Sequence, residues 1–280
     1  MKSCFIIAEA GINHNGDIKI AKKMINVAKK AGVDCIKFQT FKAKELSADP
    51  KLKYNGETQE KFFQRHEFSD KKWENIINYC KEKKIIFSTT CQNLSDLDFI
   101  LSLTDLPFLK IGSDDLTNLP LIKYYAKKKK PMIISAGMAY ESEIRDAVDV
   151  CKKAGNKNII ILHCISSYPT HAEEVNLARL AEIKSKFKVN VGFSDHTKGN
   201  YAAFGAVALG ARVIEKHFTL DNKMPGPDHV FSADPAQLKE LVEGIRFIEK
   251  SIGSPKITPN KEEMKMRKLV RRSIVASKDL

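Results

Sequence analysis

The sequence predicts a closed (β/α)8 TIM barrel, and two observations carry that expectation. Short β-rich runs alternate with amphipathic helical runs along nearly the whole 280-residue chain, and alternating βα order implies a parallel sheet. About eight such units fall within roughly 250 residues, the size of a barrel of this class. A doubly wound open sheet is the alternative. No GxGxxG follows the first strand, which argues against its dinucleotide-binding form.

The strands read, in order, CFIIAEAG (4–11), CIKFQT (35–40), IIFSTT (85–90), FLKIG (108–112), PMIISAG (131–137), IIILHC (159–164), VNVGFSDH (189–196) and RVIEKHF (212–218). Near-continuous apolar runs such as IIILHC suit strands buried on both faces. In the first helix Ile18, Ala21, Met24, Ile25 and Ala28 recur at helical spacing. Asp17 is placed to cap its start, and Gly32 to end it. Further helices are expected over 73–84, 94–103, 120–127, 141–154, 177–187, 202–209 and 236–252. One connection, 41–70, is long enough to be a lid or an association surface. Residues 1–253 thus form the expected barrel. Residues 254–280 read as a polar, lysine-rich linker followed by a fresh strand pattern, RRSIVA. One strand cannot fold alone, so it docks on a neighbour or opens a further domain.

Composition narrows the function classes. No run of about 18 apolar residues is present, so no membrane span is expected. The six cysteines form no CxxC pair; a zinc ribbon or a disulfide framework is not expected, and a reducing, cytoplasmic compartment is. The formal charge of +13 attracts anions in general. Lys127 to Lys130 read as a solvated helix end. No aromatic-interleaved basic stripe supports nucleic acid as a partner.

In a barrel, catalytic groups gather at the C-terminal ends of the strands. Here those ends carry Glu9, Lys37, Gln39, Thr89, Lys110, Ser113, Asp115, Ser135, His163, Ser166, Tyr168, Ser194, Asp195, His196, Glu215 and His217. Buried charge is costly unless paired or used, so polar groups at all eight ends describe a site. Lys37 and Lys110 with Thr89, Ser113, Ser135 and Ser194 suit a phosphate or carboxylate anion. A Schiff-base lysine is the competing use. His196 and His217 end successive strands about 4.8 Å apart, so both imidazoles could grip one divalent ion such as Mn2+. After them, Pro225-Gly226-Pro227 stiffens a turn that presents Asp228.

Taken together and in order, IIAEAGINHNGD, IKFQT, FLKIGSDDLTNLPLI, PMIISAGM, LHCISSYPT, GFSDHT and VIEKHFTLDNKMPGPDH resemble the sialic acid (N-acetylneuraminate) synthase family, including its legionaminic, pseudaminic and spore-coat polysaccharide relatives. The resemblance implies a metal-dependent condensation of phosphoenolpyruvate with N-acetylmannosamine or a related acetamido sugar, giving a nonulosonate and phosphate. It implies Glu9 as the catalytic carboxylate, and His196 and His217 as ligands of Mn2+, with Mg2+ and Co2+ as alternatives. It implies Lys37, Thr89, Lys110, Ser113, Ser135 and Ser194 around phosphoenolpyruvate, and Gln39, Asp115, Tyr168 and Asp228 around the sugar. Asp115 stands where a glutamate is usual and Ser166 where an asparagine occurs, both bearing on which sugar fits. The resemblance also implies a homodimer in which a C-terminal antifreeze-like (SAF) domain caps the partner's site with an arginine. RRSIVASKDL resembles only that domain's opening strand.

Overall fold

The computed structural model describes residues 3–278 except 47, 50, 55 and 276. The first unit is β1 (Phe5–Gly11) and α1 (Ile18–Ala31). The Asp17 carboxylate accepts the Lys19 amide at 2.6 Å, and Gly32 closes α1 at φ 86°. Ala21, Met24, Ile25 and Ala28 form its buried stripe, worth roughly 1.5–3 kcal/mol for each large side chain.

β2 (Cys35–Thr40) leads into the long connection. That segment is folded: a 3-10 turn, a small hairpin of β3 (Lys53–Tyr54) and β4 (Glu57–Thr58), and α2 (Gln59–Gln64). Ile12, Phe41 and Phe62 form its own apolar cluster. The order then continues as α3 (Asp70–Lys83), β5 (Ile86–Cys91), α4 (Leu94–Leu103), β6 (Leu109–Ile111), α5 (Leu119–Lys127), β7 (Met132–Ser135), α6 (Glu141–Lys153), β8 (Ile159–Cys164), α7 (Arg179–Phe187), β9 (Asn190–Asp195), α8 (Tyr201–Ala208), β10 (Val213–His217) and α9 (Pro235–Ile252). Eight strands close in the order β1-β10-β9-β8-β7-β6-β5-β2. Every neighbouring pair in that barrel is parallel.

Closure is reinforced from the last barrel helix, α9, to the start of the first strand. Arg246 of α9 donates to the Cys4 carbonyl at 2.7 Å and pairs with Asp34 at 3.0 Å. Two apolar regions flank the barrel wall. The large one lies between strands and helices. The small one, Ile7, Cys35, Phe108, Ile133, Leu162 and Val213, plugs the barrel's N-terminal end. All six cysteines are free and buried. No helix among the described residues is long and apolar enough to cross a membrane.

The tail departs from its sequence reading. Residues 261–270, expected as linker, form α10 (Lys261–Val270), opened by a capping box between Asn260 and Glu263. No strand forms over 271–275, and Ala276 lies outside the described residues. The physical reason is that a strand needs a partner edge, and none is offered there. Every described residue from 254 onward is exposed.

Candidate active site

Strand alternation builds the site. Side chains two residues apart share a face. On the inner face six of the eight strands rise from the apolar plug into a polar layer: Ile7 to Glu9, Cys35 to Lys37, Phe108 to Lys110, Ile133 to Ser135, Leu162 to Cys164 and Val213 to Glu215. The result is a cavity of about 370 Å3 at the C-terminal end of the barrel, within the size range of small-molecule sites.

Its floor is a compact charge cluster. Lys37 Nζ lies 2.6 Å from Glu9 Oε2 and 3.7 Å from Glu215 Oε2. Lys110 Nζ lies 3.7 Å from Glu215 Oε1 and donates to Ser135 Oγ at 2.8 Å. Lys37 also donates to Thr90 Oγ1 at 2.8 Å, and Ser194 Oγ donates to Glu215 at 3.0 Å. Burial pushes the Glu9 carboxyl up to about 8 against the pull of Lys37. Burial acts on Glu215 too, but Lys110 and Lys37 outweigh it and hold that carboxyl down at about 2. Burial lowers Lys110; for Lys37 the two carboxylates more than offset burial and hold the ammonium above its usual range. One carboxylate therefore balances the lysines, and the other is poised to exchange a proton near neutrality.

His196 and His217 stand above this floor with ring centroids 5.7 Å apart. His196 Nδ1 donates to the Ile165 carbonyl at 2.7 Å, which leaves Nε2 as the lone-pair nitrogen. His217 Nδ1 is buried with no hydrogen-bond partner; Asp228 Oδ2 is 3.9 Å away. Burial holds both rings neutral, His217 well below its usual range with His196 and Lys37 adding to the effect. Neutral imidazoles with free lone pairs suit a divalent cation. Among the described residues, no group of three or more His, Cys, Asp or Glu side chains assembles around one point.

Tyr168 packs on His196 at 4.3 Å and on Phe231 at 5.2 Å between ring centroids. Gly137 is required by close approach. A Cβ there would sit 2.4 Å from Ser166 Oγ and 2.8 Å from both Cys164 Sγ and Ser113 Oγ. Its amide donates to Ser113 Oγ at 3.0 Å.

The structure brings Glu9, Lys37, Gln39, Lys110, Ser113, Ser135, Ser166, Tyr168, Ser194, His196 and His217 into one cavity, with Asp228 beside His217. Three expected residues do not line it, one of them Asp228, which stands beside His217 outside the lining. Thr89 faces away from the cavity, toward Thr40 Oγ1 at 2.8 Å, because alternation on β5 turns Thr90 inward beside Lys37 and Lys110. Asp115 folds into the turn after β6, accepting from Asn118 Nδ2 at 3.2 Å, and its neighbour Asp114 lines the cavity. His163 and Asp195 lie on the outer face. His163 Nε2 meets the Val175 carbonyl at 2.7 Å, and Asp195 pairs with Lys216 at 2.8 Å. Glu215, Thr90, Gln92, Gly112, Asp114, Met138 and Cys164 complete the lining. Glu215 is already among the polar strand ends of the sequence, and counting in steps of two from the apolar plug finds Cys164 as well.

The profile of the NeuB family matches residues 24–257. The chain belongs to the NeuB family. It is similar to the N,N'-diacetyllegionaminic acid synthase of Campylobacter jejuni, 44% identical over 100% of this chain and 86% of that protein. It is similar to human N-acetylneuraminate-9-phosphate synthase, 37% identical over 98% of this chain and 78% of that one. Its fold matches the crystal structure of the N-acetylneuraminic acid synthetase of Leptospira borgpetersenii with a TM-score of 0.87 and 35% identity, covering 97% and 94% of the two chains. This NeuB-family chain is an enzyme of the synthase type.

Proposed function

We propose that the chain condenses phosphoenolpyruvate with the aldehyde of an open-chain acetamido sugar, giving a nonulosonate and inorganic phosphate. The observation that carries this reading is the buried pair Lys37 and Lys110, held by glutamates and hydroxyls beneath two neutral imidazoles. Two ammonium groups with Ser113, Ser135 and Ser194 match the phosphate and carboxylate of phosphoenolpyruvate. Fixed there, its methylene carbon faces the mouth, where the aldehyde enters. Orienting the two reactants can lower the bimolecular barrier by up to roughly 7–11 kcal/mol.

The methylene carbon forms a bond to the aldehyde carbon, whose oxygen takes the proton that the Glu9 carboxyl carries near neutrality. Positive character develops at the former enol carbon, and Glu9 stabilises it as a carboxylate. Water adds at that carbon and gives its proton to Glu9. The tetrahedral adduct then breaks its carbon–oxygen bond to phosphate. Glu215 stays ionised throughout and keeps both lysines protonated. His196 and His217 would hold a divalent cation, Mn2+ with Mg2+ or Co2+ as alternatives. Such a cation supplies Lewis-acid polarisation of an oxygen at the reacting carbonyl. Gln39, Tyr168 and Asp228 are placed for sugar hydroxyl and acetamido groups.

The test is phosphate release from phosphoenolpyruvate across a panel of acetamido sugars, with and without EDTA. Sugar-dependent release that EDTA abolishes and added Mn2+ restores is expected. A borohydride-trapped adduct with pyruvate, without phosphate release, would instead point to a Schiff-base lysine.

A further inference from the structure

The formal charge of +13 is not spread evenly over the molecule. In a barrel of this kind every helix ends, and every strand begins, at the end opposite the cavity. The connections at that end run from the last turn of each barrel helix to the strand that follows. They are residues 28–35, 80–86, 100–109, 124–132, 150–159, 184–190 and 205–213, with 249–252 at the end of α9. They hold 17 of the chain's 47 Lys and Arg residues but 4 of its 34 Asp and Glu, which leaves 30 of each elsewhere. These connections alone account for the whole net charge. We propose that this face docks on an anionic lipid bilayer and leaves the cavity at the other end open to solvent.

Exposure and pairing carry the inference. None of the 17 cations is buried. All four carboxylates are already matched: Asp34 and Glu249 meet Arg246 at 3.0 and 3.1 Å, Glu82 meets Lys83 at 2.7 Å, and Asp105 pairs with Lys130. At the end of α7, Lys186 pairs with Glu141 and Glu182, while Lys184 and Lys188 make no ion pair among the described residues, and neither do Lys153 and Lys157 after α6. One lysine per helix end would complement the helix dipole. The connection after α5 carries four, and those after α6 and α7 carry three each.

Shape selects the partner. The cations come from seven of the eight connections, so they form a ring around the barrel axis. A ring meets a plane all at once, whereas a nucleic-acid strand follows a groove lined with stacking aromatics. Of the 17 cations, 16 are lysines, compact point charges without the planar fork of arginine. Near an anionic leaflet each such charge contributes about fivefold in affinity. Apolar surface lies at the same end. Ile86, Leu209 and Ile252 are exposed, and Phe5, Pro107, Phe108, Pro131 and Ile160 line a bowl of about 460 Å3 together with Arg212. Such side chains enter the interfacial layer while lysine heads reach the headgroups. A second copy of the chain, meeting this face with its own, is opposed by like charge.

The experiment is sedimentation of the full chain with vesicles of equal parts phosphatidylglycerol and phosphatidylcholine, at low and high salt, beside vesicles of phosphatidylcholine alone. Binding to the anionic vesicles that high salt reverses is expected. No binding, or equal binding to the neutral vesicles, overturns the proposal. Combining Lys153→Glu, Lys157→Glu, Lys184→Glu and Lys188→Glu is expected to weaken binding at least about a hundredfold. A charge-matched control combines Lys19→Glu, Lys23→Glu, Lys61→Glu and Lys71→Glu, in the first halves of α1 and α3 and in the 41–70 connection. It is expected to lose less than about tenfold. Equal losses in the two show that total charge acts rather than this face, and overturn the proposal. Deuterium exchange on the wild type gives the same answer without a variant. Vesicles are expected to protect amides of 150–159 and 184–190 and to leave those of 224–231, beside the cavity, unchanged; the reverse pattern overturns the proposal. Tighter binding of polyuridylate or polyglutamate at the same face and salt assigns it to another polyanion and overturns the lipid reading.

Discussion

Glu9 is buried among charges, and its proton affinity links catalysis to stability. The carboxyl moves from an ordinary value of 4.5 to about 8 on folding, chiefly through burial. Between those values the unfolded chain gives up the proton that the folded chain keeps. Glu9 therefore lowers stability progressively as pH rises from 4.5 to about 8, with the full cost above that. Glu9→Gln, isosteric and neutral, is expected to abolish turnover and to flatten this decline. Chemical denaturation at pH 5 and pH 8.5 checks it, with the variant gaining a few kcal/mol relative to wild type at the higher pH. Substantial retained turnover would remove Glu9 from the chemistry. At this scale the sequence was informative for charge type and less so for aim. Glu9, Lys37, Lys110 and both histidines are legible because a charged residue in an apolar strand must be paired or used. Thr89 and Thr90 are adjacent hydroxyls in one strand, and only the pleat decides which faces Lys37.

The strand is the element that divides inner from outer chemistry. β10 turns Glu215 into the cavity and Lys216 out against the helices, where Lys216 meets Asp195 at 2.8 Å and the Thr197 carbonyl at 2.9 Å. Asp195 is further satisfied by the Thr197 amide and hydroxyl at 2.9 and 2.8 Å. This pair ties the end of β9 to β10, just below both histidines. Lys216→Met leaves a buried carboxylate without its cation and is expected to destabilise the fold by about 3–5 kcal/mol. Adding Asp195→Leu recovers much of that loss, read as the denaturation midpoint in a double-mutant cycle. The same alternation made the eight barrel strands readable in advance. In the tail, RRSIVA has the composition of a strand and residues 271–275 are unpaired here; hydrogen-bonding edges come from a partner and not from the segment.

The whole molecule is a closed barrel with a tail that lies outside its core. Ile257, Leu269 and Ile274 are exposed, as are all described neighbours from residue 254 on. An isolated ten-residue helix is marginal in water, so α10 adds little to barrel stability. Removing residues 254–280 is expected to shift the melting temperature by no more than about 2 °C, in line with surface changes within about 0.5 kcal/mol. A drop of about 10 °C in differential scanning calorimetry would show that the tail supports the barrel.

By itself, the sequence determined the order of strands and helices, the barrel, and the layer of acids, lysines and histidines at one end. Those follow from local propensity and from side-chain periods of 2.0 and 3.6, which are properties of neighbours along the chain. Tertiary structure alone decided that Thr90 and Asp114 line the cavity in place of Thr89 and Asp115. It also decided that Glu215 balances both lysines. Each of these depends on strand register around a closed sheet and on how each βα turn bends. Such relations join residues more than two hundred positions apart, as when Glu9 of β1 meets its register partner His217 of β10.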